Sequence, residues 1–196
     1  MDRRSFLRQA TGRAAEAAVR GLEARARARA KRWARPPYAV DELEFLLGCT
    51  RCGACQSACP HGVIFALPAR LGADVAGTPA LDLAANACRL CADWPCVAAC
   101  EAGVLQDPEM APDAPAAPPR LALARIDPRR CLPHQGPECG ACAGSCPVPG
   151  ALIWEAGRPR IDARRCAGCA LCRQACILEP PAIGIHPRPS SAPEPD

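Results

Sequence analysis

The chain has 196 residues, of which 16 are cysteine and only 4% are aromatic. A cysteine share of about 8% marks a chain that is held together by cysteine chemistry rather than by a large apolar core. No run of about 18 apolar residues occurs, which excludes a helix that spans a membrane. The 23 prolines and 15 glycines favour a loop-rich fold with short elements.

The first 35 residues are strongly basic. They hold ten arginines and one lysine against three acidic side chains, a net charge of +8, so the remaining residues carry −4 of the total of +4. Through residues 6–33, alanines recur at helical steps with Leu22 and Trp33, which predicts a long basic helix with a thin apolar stripe. We expect residues 1–35 to lie over the acidic remainder, to dock on a partner protein, or to make peripheral contact with anionic lipid. Nucleic acid is not an expected partner, because no binding motif accompanies the basic residues.

The start of this segment also bears on location. Residues 2–8, DRRSFLR, resemble a twin-arginine export signal. Such a signal continues into an apolar region of about 7–15 residues, whereas charged residues from Arg13 onward interrupt this stretch at once. A degenerate signal of this kind favours a cytoplasmic location with membrane association through the basic helix. Periplasmic export by the twin-arginine route is the alternative.

A short helix is predicted at the start of the acidic part of the chain. Residues 41–48 read DELEFLLG, and Asp41 is a suitable N-cap. Leu43, Leu46 and Leu47 recur on one side at helical spacing. We therefore expect these three leucines to form the buried face of the helix.

The sixteen cysteines fall into four runs of four, and none is left over. The runs are Cys49, Cys52, Cys55, Cys59; Cys88, Cys91, Cys96, Cys100; Cys131, Cys139, Cys142, Cys146; and Cys166, Cys169, Cys172, Cys176. The first, CTRCGACQSACP, matches the C-x2-C-x2-C-x3-C-P run of bacterial [4Fe–4S] ferredoxins, and the fourth keeps this spacing with Ile177 in place of the proline. The second has four residues between its second and third cysteines, and the third has seven between its first and second.

The regular spacing has a physical reason. A cubane cluster presents four iron corners that each take one thiolate, and a tight C-x2-C-x2-C loop wraps three of them. The fourth cysteine of such a run ligates the neighbouring cluster, so two runs make two clusters. We therefore expect four [4Fe–4S] clusters with all sixteen cysteines as ligands through cluster iron, and no catalytic residue.

Three other readings of the cysteines were weighed. Disulfides suit secreted frameworks with other spacings, and zinc sites commonly use two CxxC pairs separated by a longer loop. A catalytic radical cluster needs an open iron, which four complete runs do not leave. His61, His134 and His186 are not expected to be ligands for the same reason, although His61 and His134 are candidates for a hydrogen bond near a cluster sulfur.

Short apolar segments frame the runs and echo one another. ARIDPRRC at 124–131 and PRIDARRC at 159–166 precede the third and fourth runs, and LDLAANAC at 81–88 is a looser copy. The repeating unit is strand, cysteine loop, short helix, strand, with helices at QSAC, VAAC, AGSC and RQAC. Residues 151–161 predict a hairpin whose turn contains Gly157 and Pro159.

These segments predict an α+β, bacterial ferredoxin-like domain over residues 36–186, built from two dicluster modules with short hairpins and helices, plus the N-terminal basic helix. Residues 106–120 contain five prolines and read as an exposed linker. Residues 187–196 are expected to be a disordered tail.

The irregular runs carry a family resemblance. The residues that match are RPP at 35–37, EFLLGCTRCGAC at 44–55, CRLCADWPCVAAC at 88–100, CLPHQGPEC at 131–139 and CILEPPAI at 176–183. With regular first and fourth runs and irregular second and third runs, the chain resembles the NapG/MauM-type ferredoxin proteins over residues 35–187. The insertions in the irregular runs are candidates for docking or cluster packing, and Trp94 either shields a cluster or fills a gap in a small core.

The resemblance implies electron transfer through four clusters between a quinol- or flavin-linked donor and a reductase system. The implied partners are redox proteins, a membrane quinol-oxidising subunit or a reductase, with no small-molecule substrate. A factor that holds clusters for maturation of a partner reductase is the alternative. Similarity to four-cluster subunits implies a nested arrangement, in which runs one and four share one cluster pair and runs two and three the other. Consecutive pairing, one with two and three with four, stays open.

Overall fold

A computed structural model of the chain describes Gly21 and residues 33–106 and 117–187. The predicted basic helix lies outside the described residues except for Gly21, which is helical, and Trp33. Most of the proline-rich linker and the tail after residue 187 lie outside them as well. Among the described residues, no helix has the length and apolar character needed to cross a bilayer.

The first half, residues 33–106, is built from short helices around one small sheet. Its elements are α1 (Glu42–Gly48), α2 (Ala54–Ala58), β1 (Ile64–Ala66), a 3-10 helix (Ala69–Leu71), β2 (Pro79–Leu81) and α3 (Pro95–Ala98). Strands β1 and β2 pair antiparallel with Phe65 opposite Ala80. Helices α2 and α3 follow the three-cysteine loops of the first and second runs, so the sheet and both cysteine loops share one small body.

The second half, residues 117–187, follows the same plan with more strand. Its elements are β3 (Leu123–Ile126), α4 (Leu132–Gln135), β4 (Leu152–Glu155), β5 (Arg158–Ile161), α5 (Leu171–Gln174) and β6 (Ile183–His186). Strand β3 pairs antiparallel with β6, with Arg125 opposite Gly184. The third and fourth runs therefore lie between two strands that close the half. The α+β class predicted from the sequence is the class observed.

The hairpin over residues 151–161 forms as predicted, but its turn is shorter. The two turn residues are Ala156 and Gly157, with φ of 49° and 76°, as a two-residue turn that matches strand twist requires. Pro159 was predicted to lie in the turn, and this is wrong: it is a buried residue of β5 opposite Trp154. A proline is tolerated there because each strand of this two-stranded sheet is an edge strand.

The helix over residues 41–48 also forms, with a different buried face. Helix α1 begins after Asp41, whose carbonyl accepts the backbone N–H of Phe45 at 2.8 Å. Phe45 is fully buried, whereas Leu47 is 81% exposed, so the expected leucine face is wrong. Phe45 is held by the Arg35 guanidinium, which lies 4.7 Å from its ring centroid.

The helix predicted at the end of the third run is absent from the described residues 141–146. AGSC at 143–146 forms a turn, and the nearby helix, α4, lies inside the insertion instead. Pro133 stands in the first turn of α4, where its missing N–H has no intrahelical partner to lose. His134 then fixes α4 to the hairpin, because its Nε2 donates to the carbonyl of Pro159 at 3.0 Å.

The apolar interior consists of small cores rather than one large one. The largest is centred on Phe45 and Leu81 and includes Ala122, Cys169 and Ala170 from the second half. A second core joins Ala124 and Ile183 with cysteines of the third and fourth runs, and a third surrounds Val75. The loop of the fourth run therefore packs on the first half as well as on its own.

Candidate metal centres

Three of the four cysteine loops share one backbone shape. In each, the residue before the second cysteine and the residue two before the third cysteine have positive φ. These residues are Arg51 (59°) and Gly53 (77°) in the first run, Leu90 (50°) and Trp94 (40°) in the second, and Gly168 and Ala170 (both 71°) in the fourth. The two extra residues of the second run, Ala92 and Asp93, fall between these positions and leave both intact. The insertion thus changes the surface of the loop and keeps its curvature.

The first group of thiols takes its fourth member from the second run. Burial raises the pKa of Cys55 to about 11, together with three neighbouring thiols. These neighbours are Cys100, Cys49 and Cys52. The same four cysteines line one cavity. The first three come from the first run and Cys100 from the end of the second.

The second group is its reciprocal. Burial raises the pKa of Cys96 to about 12, and the nearest other contributions come from the thiols of Cys88 and Cys59. Burial and then Cys59 also raise the pKa of Cys91. These four thiols line a cavity whose wall includes Trp94 and His61. Three cysteines of the second run are therefore completed by the last cysteine of the first.

Trp94 stands at the edge of this second cavity. Its ring packs edge-on against Tyr38, with centroids 4.9 Å apart at an interplanar angle of 89°. Trp94 thus lines the cavity and also joins the largest core. The two roles that the sequence left as alternatives are combined in one side chain.

The third and fourth groups repeat the exchange. Burial raises the pKa of Cys142, and the thiols of Cys131, Cys139 and Cys176 raise it as well. These four line a third cavity together with Trp154. In the fourth group, burial raises the pKa of Cys172 to about 12, aided by three neighbouring thiols. These are Cys169, Cys166 and Cys146.

All sixteen predicted residues are thus brought together in four groups of four. The fourth cysteine of each run joins the group of the adjacent run, first with second and third with fourth. The nested arrangement of runs one with four and two with three is wrong, because Cys100 neighbours Cys55 and Cys176 neighbours Cys142. The spacing within the runs carried no signal for this choice, since it depends on which halves the chain folds together.

The groups differ in exposure. The loop of the fourth run, from Cys166 through Ala170, is buried at every residue, whereas residues 50–53 of the first run are all exposed. Cys52 has its pKa lowered by the backbone N–H of Ala54 and then by the Thr50 side chain. Two runs of identical spacing therefore occupy opposite environments.

The geometry suits a bulky group better than a single ion. Within residues 33–106 and 117–187, no three histidine, cysteine or acidic side chains lie close enough together to hold one metal ion. Three groups of thiols instead surround cavities. A zinc ion draws its thiolates to about 2.3 Å, whereas a cubane cluster separates them on four iron corners. The cysteines therefore fit [4Fe–4S] clusters, which would hold these thiols as thiolates despite their raised pKa values.

Comparison with known proteins agrees with this chemistry. A family model described as a 4Fe–4S dicluster domain matches residues 48–104. The ferredoxin-type protein NapG of Escherichia coli (strain K12) is 35% identical over 199 residues, covering 94% of this chain and 83% of the relative. The methylamine utilization ferredoxin-type protein MauM of Methylobacillus flagellatus is 34% identical over 167 residues, covering 79% and 68%.

The ferredoxin-type protein NapF of Escherichia coli (strain K12) is 30% identical over 147 residues, covering 72% of this chain and 79% of the relative. No solved structure matches the chain. The chain is a ferredoxin-type protein that binds [4Fe–4S] clusters and acts in electron transfer. It belongs to the NapG/MauM family of ferredoxin-type proteins.

Proposed function

We propose that this chain holds four [4Fe–4S] clusters, one on each group of cysteines, and relays single electrons between redox protein partners without converting a substrate itself. The observation that carries the proposal is the gathering of all sixteen cysteines into four groups with none left over. A bound cluster supplies a one-electron acceptor and donor whose potential depends on its surroundings. The chain supplies the thiolates, the low-dielectric cavity walls and the separation of the groups.

The two halves are proposed to be two dicluster modules. In each, the last cysteine of one run completes the group of the other, which is the exchange typical of two-cluster ferredoxins. The core that spans the halves through Ala122, Cys169 and Ala170 supports a fixed contact between the modules.

The proposed ligand sets are tested by removing one exchanged cysteine. In Cys100→Ala, we expect Cys49, Cys52 and Cys55 to become open to alkylation while Cys88, Cys91 and Cys96 stay protected. Cys59→Ala is the matched control and should expose the opposite three. The wild-type protein, purified without oxygen, should contain about sixteen iron atoms per chain. Exposure of third-run cysteines in Cys100→Ala, or an iron content near four, would contradict the proposal.

The donor is proposed to be a quinol- or flavin-linked protein and the acceptor a reductase system. The relatives support this choice only through their names, one of which states methylamine utilization. The test is to isolate the C-terminally tagged chain from its own host without oxygen and identify the proteins bound to it. Recovery of a quinol-oxidising membrane subunit or a reductase supports the relay. Transfer of intact clusters from this chain to an apo-reductase would instead indicate a maturation factor.

Location is proposed to be cytoplasmic, with membrane association through the basic segment at residues 1–35. The net charge of +8 on this segment supports contact with an acidic surface, and its interrupted apolar stretch argues against export. Cell fractionation with N-terminal sequencing tests both points. A periplasmic protein cleaved near the basic segment would contradict the proposal.

A further inference from the structure

The order of the four groups along the molecule follows from one contact between the halves. The backbone N–H of Cys88 donates to the carbonyl of Cys169 at 2.9 Å. After burial and the thiol of Cys146, the thiol of Cys88 is also among the causes that raise the pKa of Cys169 to about 11. Cys88 belongs to the second group and Cys169 to the fourth. These two groups are thus neighbours although a whole run separates them in sequence.

The remaining neighbours are set within each half. The thiol of Cys55 contributes to the raised pKa of Cys96, so the first and second groups adjoin. The third and fourth groups share one core that contains Cys142 and Cys166. Resting on the proposed binding of four clusters, we propose that the groups form a line in the order first, second, fourth, third, with the Cys88–Cys169 contact as its central junction.

Exposure agrees with this order. The fourth-run loop at the junction is wholly buried, and the exposed large apolar side chains of the described residues are Leu47 and Ile177. Leu47 lies two residues before Cys49 of the first group, and Ile177 follows Cys176 of the third. The groups at the two ends of the line are therefore the ones that reach the surface.

Gly168 is the positioning residue of the junction. A Cβ on Gly168 would lie only 2.6 Å from the Cα of Ala122 and closer still to the Ala122 carbonyl. Positive φ does not by itself require glycine here, because Arg51 and Leu90 hold the equivalent positions. Glycine is needed because the loop approaches the backbone that leads into β3, where Ala167 accepts the N–H of Leu121 at 2.9 Å.

The order is tested by pulsed EPR of the dipolar coupling between reduced clusters. Cys55→Ala with Cys142→Ala leaves the second and fourth groups, and we expect strong coupling between them. Cys96→Ala with Cys172→Ala leaves the first and third, and we expect the weakest coupling of any pair. The reverse ranking overturns the order. A wild-type protein without iron would overturn the proposed function instead.

Gly168→Ala provides a second test that removes no ligand. We expect it to weaken the coupling between the second and fourth groups while iron content stays as in the wild type. Gly53→Ala is the matched control, because Gly53 has a φ of 77° with nothing within 4 Å of its would-be Cβ. Equal coupling in the two variants would contradict the role of Gly168. A Gly168→Ala chain that loses iron from both of these groups would still show that the junction needs glycine, whereas unchanged coupling would not.

A different observation concerns the third group. The indole N–H of Trp154 is buried and has no hydrogen-bond partner among the described residues. Trp154 lines the cavity formed with Cys131, Cys139, Cys142 and Cys176. A buried donor without a partner costs about 1–3 kcal/mol, and the sulfur atoms of a bound cluster would be the acceptors at this wall.

We infer that Trp154 donates a hydrogen bond from Nε1 to a sulfur of the cluster held by the third group. Such a bond stabilises the more negative, reduced cluster and raises its reduction potential. The tryptophan would then set the third group apart from the others by its potential.

Trp154→Phe tests this inference, since it keeps a ring in the cavity and removes the donor. We expect the potential of one cluster to become more negative and the others to stay unchanged. Trp33→Phe is the control, because Trp33 packs against Phe65 with ring centroids 5.3 Å apart, in the core around Val75. Unchanged potentials in a fully loaded Trp154→Phe variant would contradict the inference.

The wild-type protein offers a readout that does not depend on the variant. With indole-15N-labelled tryptophan, the reduced protein should show a hyperfine coupling between 15N and one cluster, retained in Trp33→Phe and Trp94→Phe. Absence of this coupling in an iron-loaded protein would overturn the inference while leaving the proposed function intact.

Discussion

At the scale of single residues, Arg35 connects more of the first half than any sequence pattern indicates. Its guanidinium donates to Glu42 at 2.6 and 2.9 Å, to Thr78 Oγ1 at 2.8 Å and to the Pro79 carbonyl at 2.9 Å. Both charged side chains are only 11% exposed. Arg35 therefore joins α1 to the start of β2 while its face covers Phe45.

Replacing Arg35 should destabilise the first half strongly. Arg35→Ala leaves Glu42 as a buried charge without its partner, which costs about 3–5 kcal/mol. For a domain of this size we expect the melting temperature to fall by about 10 °C, followed without oxygen by the visible absorption of the clusters. The control is Arg160→Ala, because the Arg160–Glu155 pair is 55% and 61% exposed and contributes little. Equal shifts in the two variants would contradict the role of burial.

At the scale of elements, short strands and helices are placed by cysteine loops and turns rather than by propensity. Helix α3 has four residues and starts at a proline, and α5 also has four. Isolated helices of this length are unstable in water. They persist because their cysteines are buried in the surrounding core, so packing supplies what local propensity lacks.

The hairpin turn of the second half can be improved. Ala156 has a φ of 49°, a conformation that costs an ordinary residue about 1–2 kcal/mol, whereas Asn-Gly is favoured in such turns. We expect Ala156→Asn to slow amide hydrogen exchange across β4 and β5. Gly157→Ala should accelerate it, since Gly157 has a φ of 76° and open space around it. Exchange rates that change in the same direction in both variants would show that the turn is not limiting.

At the scale of the whole molecule, burial divides the four groups into two exposed ends and a buried middle. The arrangement gives runs of identical spacing different environments. Residues 50–53 are exposed, whereas Cys166 through Ala170 are buried. Because reagents reach exposed thiolates first, chemical stability should follow the position of a group in the fold and not its motif.

Limited iron chelation should therefore release the first group before the fourth. With iodoacetamide present, we expect Cys52 to be modified first, because it is exposed and its pKa is lowered. Its labelling should reach a plateau at lower pH than that of Cys55, whose pKa is raised to about 11, since only the thiolate reacts. Mass spectrometry of tryptic peptides measures the order. Earlier labelling of Cys169 or Cys172 would contradict the division into exposed ends and a buried middle.

Much of the chemistry could be read from the sequence because cysteine spacing is a local property. A C-x2-C-x2-C loop forms around its cluster by closing a few residues, so four complete runs predicted four groups of thiols in advance. The hairpin at residues 152–161 was likewise local, and the α+β class followed from the repeated segments. The buried face of α1 was missed because Phe45 is selected by Arg35, which contacts it from outside the helix.

The sequence by itself determined which residues meet within each run, the family, and the class of chemistry, since these depend on neighbours a few residues apart. The tertiary structure alone decided that runs pair consecutively, that the fourth run is buried, and that Cys88 meets Cys169. These contacts join residues as many as 81 positions apart in the numbering. They arise because small cores become adequate only when the two halves bury their cysteine loops against each other.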